Sequence, residues 1–315
     1  MSNLMERLAQ PGILVADGAT GTMLQRLGLP TGAAPERWNL ENADGVRTLH
    51  RSYIEAGADV ILTNTFGGTR FRLEREGLGE QVEEINRLAA EIARSAAGEA
   101  ARAGRKVYVL GDIGPCGKLI KPLGPLLYAD AETAFAEQAH GLLAGGVDAI
   151  LIETMSDLNE VRAAVAGARQ AMARQEMAGQ GTPLPVLVTM SFDTRGHTMM
   201  GVKPEQAARL LTELQVDAIG ANCGRTLSET LEAVQAMRQA APEAVLLAKP
   251  NAGLPRMEAE QGKNAPAVYD VTPEVMAEWA EKFSGLGVKI FGGCCGSTPD
   301  HIRAAAERLK AVKAD

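Results

Sequence analysis

Aromatic side chains are scarce. The 315-residue chain has 2 Trp, 4 Tyr and 6 Phe, 4% in all. That leaves little material for an aromatic cage around a quaternary ammonium ligand. A basic excess is missing too: 32 Lys and Arg face 39 Asp and Glu, a net charge of −7. General nucleic-acid binding, which needs a positive surface, is therefore not expected. No run of eighteen apolar residues is present, so no membrane span is expected. The opening "MSNLMERLAQPG" lacks the charged-then-apolar pattern of a secretory leader, which points to the cytoplasm. Cysteine is sparse as well, with only 4 residues. In the cytoplasm thiols stay reduced, so clustered cysteines more often bind metal or do chemistry than form disulfides. No linker, internal repeat or low-complexity stretch interrupts the sequence, and residues 1–315 read as a single domain.

What is present is alternation. Hydrophobic residues make up 46% of the chain, enough for a sizeable core. Eight short apolar runs read as buried strands: "ILVADGA" from Ile13, "DVILTNTF" from Asp59, "VYVLGDIGP" from Val107, "AILIETM" from Ala149, "VLVTMSFD" from Val186, "AIGANCG" from Ala218, "VLLAKPN" from Val245 and "KIFGGCCG" from Lys289. Each is followed by a stretch rich in Ala, Glu, Arg and Leu with helical spacing. Eight such units predict an α/β fold, a (β/α)8 TIM barrel. An open doubly wound sheet is the rival, but "DGATGTM" after the first strand is not its glycine fingerprint. Two Gly- and Pro-punctuated connections stand out. "EMAGQGTPLP" from Glu176 belongs at the bottom of the barrel, and "NAGLPRMEAEQGKNAPAVYD" from Asn251 is long enough to act as a flap at the top.

Active sites of such barrels lie at the C-terminal strand ends. Those ends carry Asp17, Asn64, Asp112, Glu153, Asp193, Cys223, Asn251 and the pair Cys294–Cys295. One such residue alone would read as a turn or cap. The pair is the puzzle, since neighbours on an extended strand point to opposite faces. Both can face one centre only where the chain turns, and Gly292, Gly293 and Gly296 permit a turn. Cys223 could then join them on one ion. Thiolates favour zinc, and three protein ligands leave a fourth position open. Inert buried cysteines and a redox or vicinal-disulfide role are the alternatives. Cys116 reads as a non-ligand near the site, and His301 as a helix residue. A zinc held by three thiolates is a weak activator of water but can lower the pKa of a substrate thiol. That chemistry is alkyl transfer to sulfur.

"DGATGTM", "TNTFGG", "GDIGP", "ETMSD", "GANCG", "KPNAG" and "GGCCGSTPDHI" occur in this order along the chain. With them the sequence resembles the homocysteine S-methyltransferase family over nearly its whole length. The resemblance implies a zinc-bearing barrel that methylates homocysteine to methionine. It makes Cys223, Cys294 and Cys295 the zinc ligands and catalytic centre. It places the amino group of homocysteine on Asp17 and Glu153. Its carboxylate would meet the backbone of Gly18 and Ala19, with Asn64 and Thr65 close by. Asn251 would fill the fourth zinc position until substrate displaces it. Trp38 and Tyr128 read as loop packing, so a betaine donor ranks lowest. The sequence is most similar to the N-terminal barrel of cobalamin-dependent methionine synthase. With no corrinoid-binding domain before Asp315, a methylcobalamin donor would come on a separate corrinoid protein; S-methylmethionine is the other donor. Two further readings remain: a zinc and thiol delivery subunit without turnover, and an aldolase-like barrel using Lys249 as a Schiff-base nucleophile. Lys249 paired structurally with Asp193 is the expectation set against the last.

Overall fold

The computed structural model describes residues 3–179, 181–255 and 268–311. All eight expected strands form: β1 (Leu14–Val15), β2 (Val60–Leu62), β3 (Tyr108–Ile113), β4 (Ala149–Met155), β5 (Val186–Met190), β6 (Ala218–Cys223), β7 (Leu246–Pro250) and β8 (Val288–Phe291). They pair in parallel in the order β1-β8-β7-β6-β5-β4-β3-β2. A bridge from Ala16 to Val60 closes the ring between β1 and β2. The Asp59 amide donates to Val15 O (2.6 Å) and the Asp17 amide to Val60 O (3.0 Å) across the same seam. The fold is the predicted parallel barrel.

Period-two alternation sorts each strand into two sets. The inner set includes Leu62, Leu110, Leu151, Leu187, Leu247 and Ile290, which fill the barrel as one apolar layer. Leu4 and Leu8, from the short helix Leu4–Leu8, join this layer. The outer set, with Ile61, Val109, Ile150, Val188 and Ile219, packs on the surrounding helices. Helix starts follow their capping residues. Thr272 accepts from the Val275 amide with Pro273 behind it, and Thr226 accepts from the Glu229 amide. The stretch from Glu176 begins in the last turn of the helix Leu158–Met177, and β5 is the next element after it. Of the expected flap after Asn251, residues 256–267 lie outside the described residues.

His50, in the helix Ala43–Ala56, is an exception to the rule that buried polar atoms are paired. It is 1% exposed, and neither ring nitrogen has a hydrogen-bond partner among the described residues. Burial pushes its pKa down to about 4. A depressed folded value means that the stability is present above the unfolded pKa near 6.5 and is lost as the pH falls toward 4. From pH 7 to pH 5, His50 should cost about 2 kcal/mol of stability. Denaturant unfolding of wild type and His50→Leu at both pH values checks this. The variant is expected to lose that much less on acidification, and equal losses would refute it.

Candidate active site

One step above the apolar layer, the same inward alternation turns polar. Asp112 lies two residues past Leu110, Glu153 two past Leu151, Asn222 two past Gly220, and Lys249 two past Leu247. All four are buried. Lys249 Nζ donates to Glu153 Oε2 (3.2 Å) and stands 3.8 Å from Asp17 Oδ1. Asp17 is otherwise held through Oδ2, which accepts from the Leu62 amide (2.8 Å). Its Oδ1 and Asp112 Oδ1 have no hydrogen-bond partner among the described residues.

Three buried carboxylates thus share one buried ammonium, and the shifts follow from that imbalance. Burial pushes Asp17 up to about 7 against the pull of Lys249. Burial also raises Glu153 and Asp112, the latter with help from the charge on Glu153. Lys249 is pushed up, because Glu153 and Asp17 outweigh its own burial. This corrects the expected Lys249–Asp193 pair. Asp193 lies past the end of β5 and accepts from its neighbour Thr194 Oγ1 (3.2 Å), while the lysine points inward. An imine-forming lysine needs a lowered pKa, so the aldolase-like reading loses its nucleophile.

The cysteines come together as a cluster. The Sγ atoms of Cys223, Cys294 and Cys295 all lie within 4.8 Å of one another, with Cys223 and Cys294 3.0 Å apart. β8 ends at Phe291, so the vicinal pair sits in the turn beyond it. There the Ser297 amide returns to Cys294 O (3.1 Å), and Gly296 takes φ 79°. That backbone region favours glycine, and a Cβ at Gly296 would also lie 2.2 Å from the Tyr269 ring. Cys223 itself adopts φ 57°, which swings its side chain off the strand alternation. The thiols also share protons unequally. Hydrogen bonds from Cys223 and Cys294 hold Cys295 down to about 3. The bond with Cys223 pulls Cys294 down, but Cys295 and burial outweigh it and push it up to about 12. Cys223 is raised by its bonds to the other two.

Four sulfurs around a tetrahedral zinc stand about 3.8 Å apart. The observed cluster fits one such ion with small side-chain rotations, and an all-thiol donor set suits zinc. Cys116 stands outside it. Its Sγ donates to Lys118 O (3.4 Å), its amide to Glu160, and burial pushes its thiol up to about 12. His301 lies in the helix Pro299–Ala311. Its Nδ1 accepts from the Thr298 amide (3.1 Å) and its Nε2 faces Val271 O (2.8 Å), so both nitrogens are engaged away from the sulfurs.

A cavity of about 620 Å³ opens at this end of the barrel. Gly18, Ala19, Asn64, Thr65, Glu153 and the three cysteines line it, as do Asp112 and Lys249. Asp17 and Asn251 are not among the residues that line it. Several expected contact groups have other partners. The Ala19 amide donates to Ser297 O (3.0 Å). Asn64 Nδ2 donates to Pro35 O (2.7 Å) and Asn39 Oδ1 (3.0 Å). Thr65 Oγ1 donates to Asp112 O (2.7 Å). Asn251 ties the two cysteine segments together: Nδ2 donates to Gly224 O (2.8 Å) and Oδ1 accepts from the Cys295 amide (2.9 Å). Reading strand ends singly missed the joint role of Asp112, Asn222 and Lys249. The signal was there, since each sits two residues past an inner apolar or glycine position.

The fold and site together define a (β/α)8 barrel with a three-thiol centre beside a cluster of buried acids. A sequence profile of the homocysteine S-methyltransferase family matches residues 14–309, and the chain belongs to that family. It is 36% identical to a methionine synthase of Mycobacterium tuberculosis over 99% of its own length. It is 37% identical to a methionine synthase of Mycobacterium leprae over 97%. The chain spans only about a quarter of these curated relatives, 26% and 25% of their lengths. The crystal structure of the metallated homocysteine methyltransferase MmuM from Escherichia coli superposes with a TM-score of 0.75 at 23% identity, covering 96% of this chain and 98% of that one. Its oxidized form gives 0.76 at 23% identity, covering 97% and 100%. At that identity the likeness carries the fold alone. No helix among the described residues is long and apolar enough to cross a membrane.

Proposed function

We propose that the barrel binds homocysteine and carries out methyl transfer to its sulfur, giving methionine. The observation that carries the reading is that a three-sulfur cluster and an under-neutralised acid cluster open on one cavity. Cys223, Cys294 and Cys295 would hold zinc. A zinc bound there supplies the electrostatic pull that keeps a substrate thiol ionised at neutral pH. The acids supply orientation. Asp17 and Glu153 pair with Lys249, which is also the one ammonium among the described residues whose charge acts on Asp112, so one more cation, the substrate ammonium, improves their balance. Gly18 lets the backbone pack closely at the cavity wall: a Cβ there would press on Ser297 O at 2.7 Å and the Tyr53 hydroxyl at 2.9 Å. In the transfer a sulfur–methyl bond forms as the donor–methyl bond breaks, and the thiol proton goes to solvent. The donor we propose is methylcobalamin on a corrinoid protein, as the sequence resemblance implies, with S-methylmethionine second. A cytoplasmic setting, where thiols stay reduced, suits the site.

The test is methionine formation by zinc-loaded protein with homocysteine, free of oxygen, with methylcobalamin, S-methylmethionine and betaine offered separately. Turnover with methylcobalamin is expected. Protein that holds zinc and homocysteine yet accepts none of the three would point instead to a delivery subunit. Glu153→Gln removes a charged partner of the ammonium. Its KM for homocysteine should rise roughly 10- to 100-fold, and an unchanged KM would count against the assigned amino site.

A further inference from the structure

Where β4 pairs with β5, Ile152 faces Val188 and Met155 faces Met190. Two residues, Glu153 and Thr154, therefore oppose Thr189 alone, which is a β-bulge. Thr154 takes φ 62°, a strained conformation for a β-branched residue. The bulge is where Glu153 is aimed into the cavity. A bulged residue loses its ladder partner, and here a side chain two strands away replaces it. Asn222 Oδ1 accepts from the Thr154 amide (2.8 Å) and from Thr189 Oγ1 (2.7 Å). Asn222 Nδ2 donates to Thr154 Oγ1 (2.6 Å). The same Nδ2 lies 3.9 Å from both Cys223 Sγ and Cys294 Sγ.

From this geometry we infer that Asn222 is a positioning residue that locks the Glu153 bulge and donates its remaining N–H to the sulfur cluster. One rigid amide thereby fixes the acid that orients the substrate relative to the thiolates that hold the metal. An N–H···S contact withdraws charge from a thiolate, as outer hydrogen bonds do at metal sites generally. The inference rests on the proposed zinc and homocysteine sites. Asn222 is not among the residues that line the cavity and would act through Thr154 and the sulfurs.

Asn222→Asp separates the two halves of the amide. It keeps an oxygen for the Thr154 amide and the Thr189 hydroxyl, and removes the N–H. Thr189→Val is the control, because it breaks a bond to the same oxygen on the side away from the sulfurs. Each protein is loaded with Co²⁺ to read the thiolate-to-metal charge-transfer band, and with Zn²⁺ against a chromophoric chelator. For Asn222→Asp the band is expected to move to longer wavelength and Zn²⁺ affinity to fall roughly 10- to 100-fold. Thr189→Val is expected to stay within about twofold of wild type. An unmoved band in Asn222→Asp overturns the inference, as does an equal loss of Zn²⁺ in Thr189→Val. If Asn222→Asp does not fold, Thr154→Val decides. It removes the oxygen that anchors Nδ2 and is expected to shift the same band, while an unmoved band again overturns the inference. A wild type that bound neither metal nor homocysteine would instead fail the functional reading itself.

Discussion

Cys294→Ala is expected to abolish both zinc retention and methionine formation. Cys294 is central to the cluster, 3.0 Å from Cys223 Sγ and next in sequence to Cys295. Removing it leaves two sulfurs on separate segments, one at the end of β6 and one after β8. Two thiols make a poor zinc site, and metal affinity at structural and catalytic centres depends on the full ligand count. The fold should survive, because the barrel core lies a layer below and contains none of the three sulfurs. Metal content after dialysis, thermal unfolding and turnover with each donor check this together. A variant that kept full activity without metal would remove zinc from the chemistry. One that kept the metal would remove Cys294 from the ligand set.

Lys249→Met is expected to cost about 3–5 kcal/mol of stability at neutral pH, the usual penalty for taking one partner from a buried charge group. Met nearly matches the lysine stem, so lost packing contributes little. The loss is electrostatic: Asp17, Glu153 and Asp112 keep their burial and lose their only ammonium among the described residues. The sign with pH follows. These acids already have raised folded pKa values, and without Lys249 they rise further. Their contribution is then intact near pH 4 and is lost as the pH rises toward the folded values. The difference between wild type and variant in denaturant unfolding should therefore grow from pH 5 to pH 8. A difference that shrank over that range would mean the lysine is not the counter-charge. Borohydride trapping of carbonyl substrates on wild-type protein should leave Lys249 unmodified.

Much of this was legible in the sequence for specific reasons. Eight apolar runs alternating with helical stretches leave few parallel architectures open, and the barrel rule then places the site at the strand ends. Cys223, Cys294 and Cys295 stood out because cysteine is so sparse and because glycines surround the vicinal pair. Asp17 and Glu153 stood out as acids at strand ends. The partner of Lys249 did not, because Asp193 and Glu153 end adjacent strands and look equivalent along the chain.

The sequence by itself determined the strand order and the polar rim of the barrel, and marked three cysteines as candidates for one cluster, since these follow from alternation, spacing and residue chemistry. Only the tertiary structure decided which acids meet Lys249 and which groups already have partners. It alone showed Ala19, Asn64 and Thr65 engaged with the backbone, and Asn251 bridging the two cysteine segments. It alone revealed that a bulge at Glu153 and Thr154 is held by Asn222 from two strands away. The physical reason is that closing the barrel brings β1, β4, β6, β7 and β8 to a common centre. A contact across that centre depends on small departures from ideal strand geometry, which local pattern along the chain does not encode.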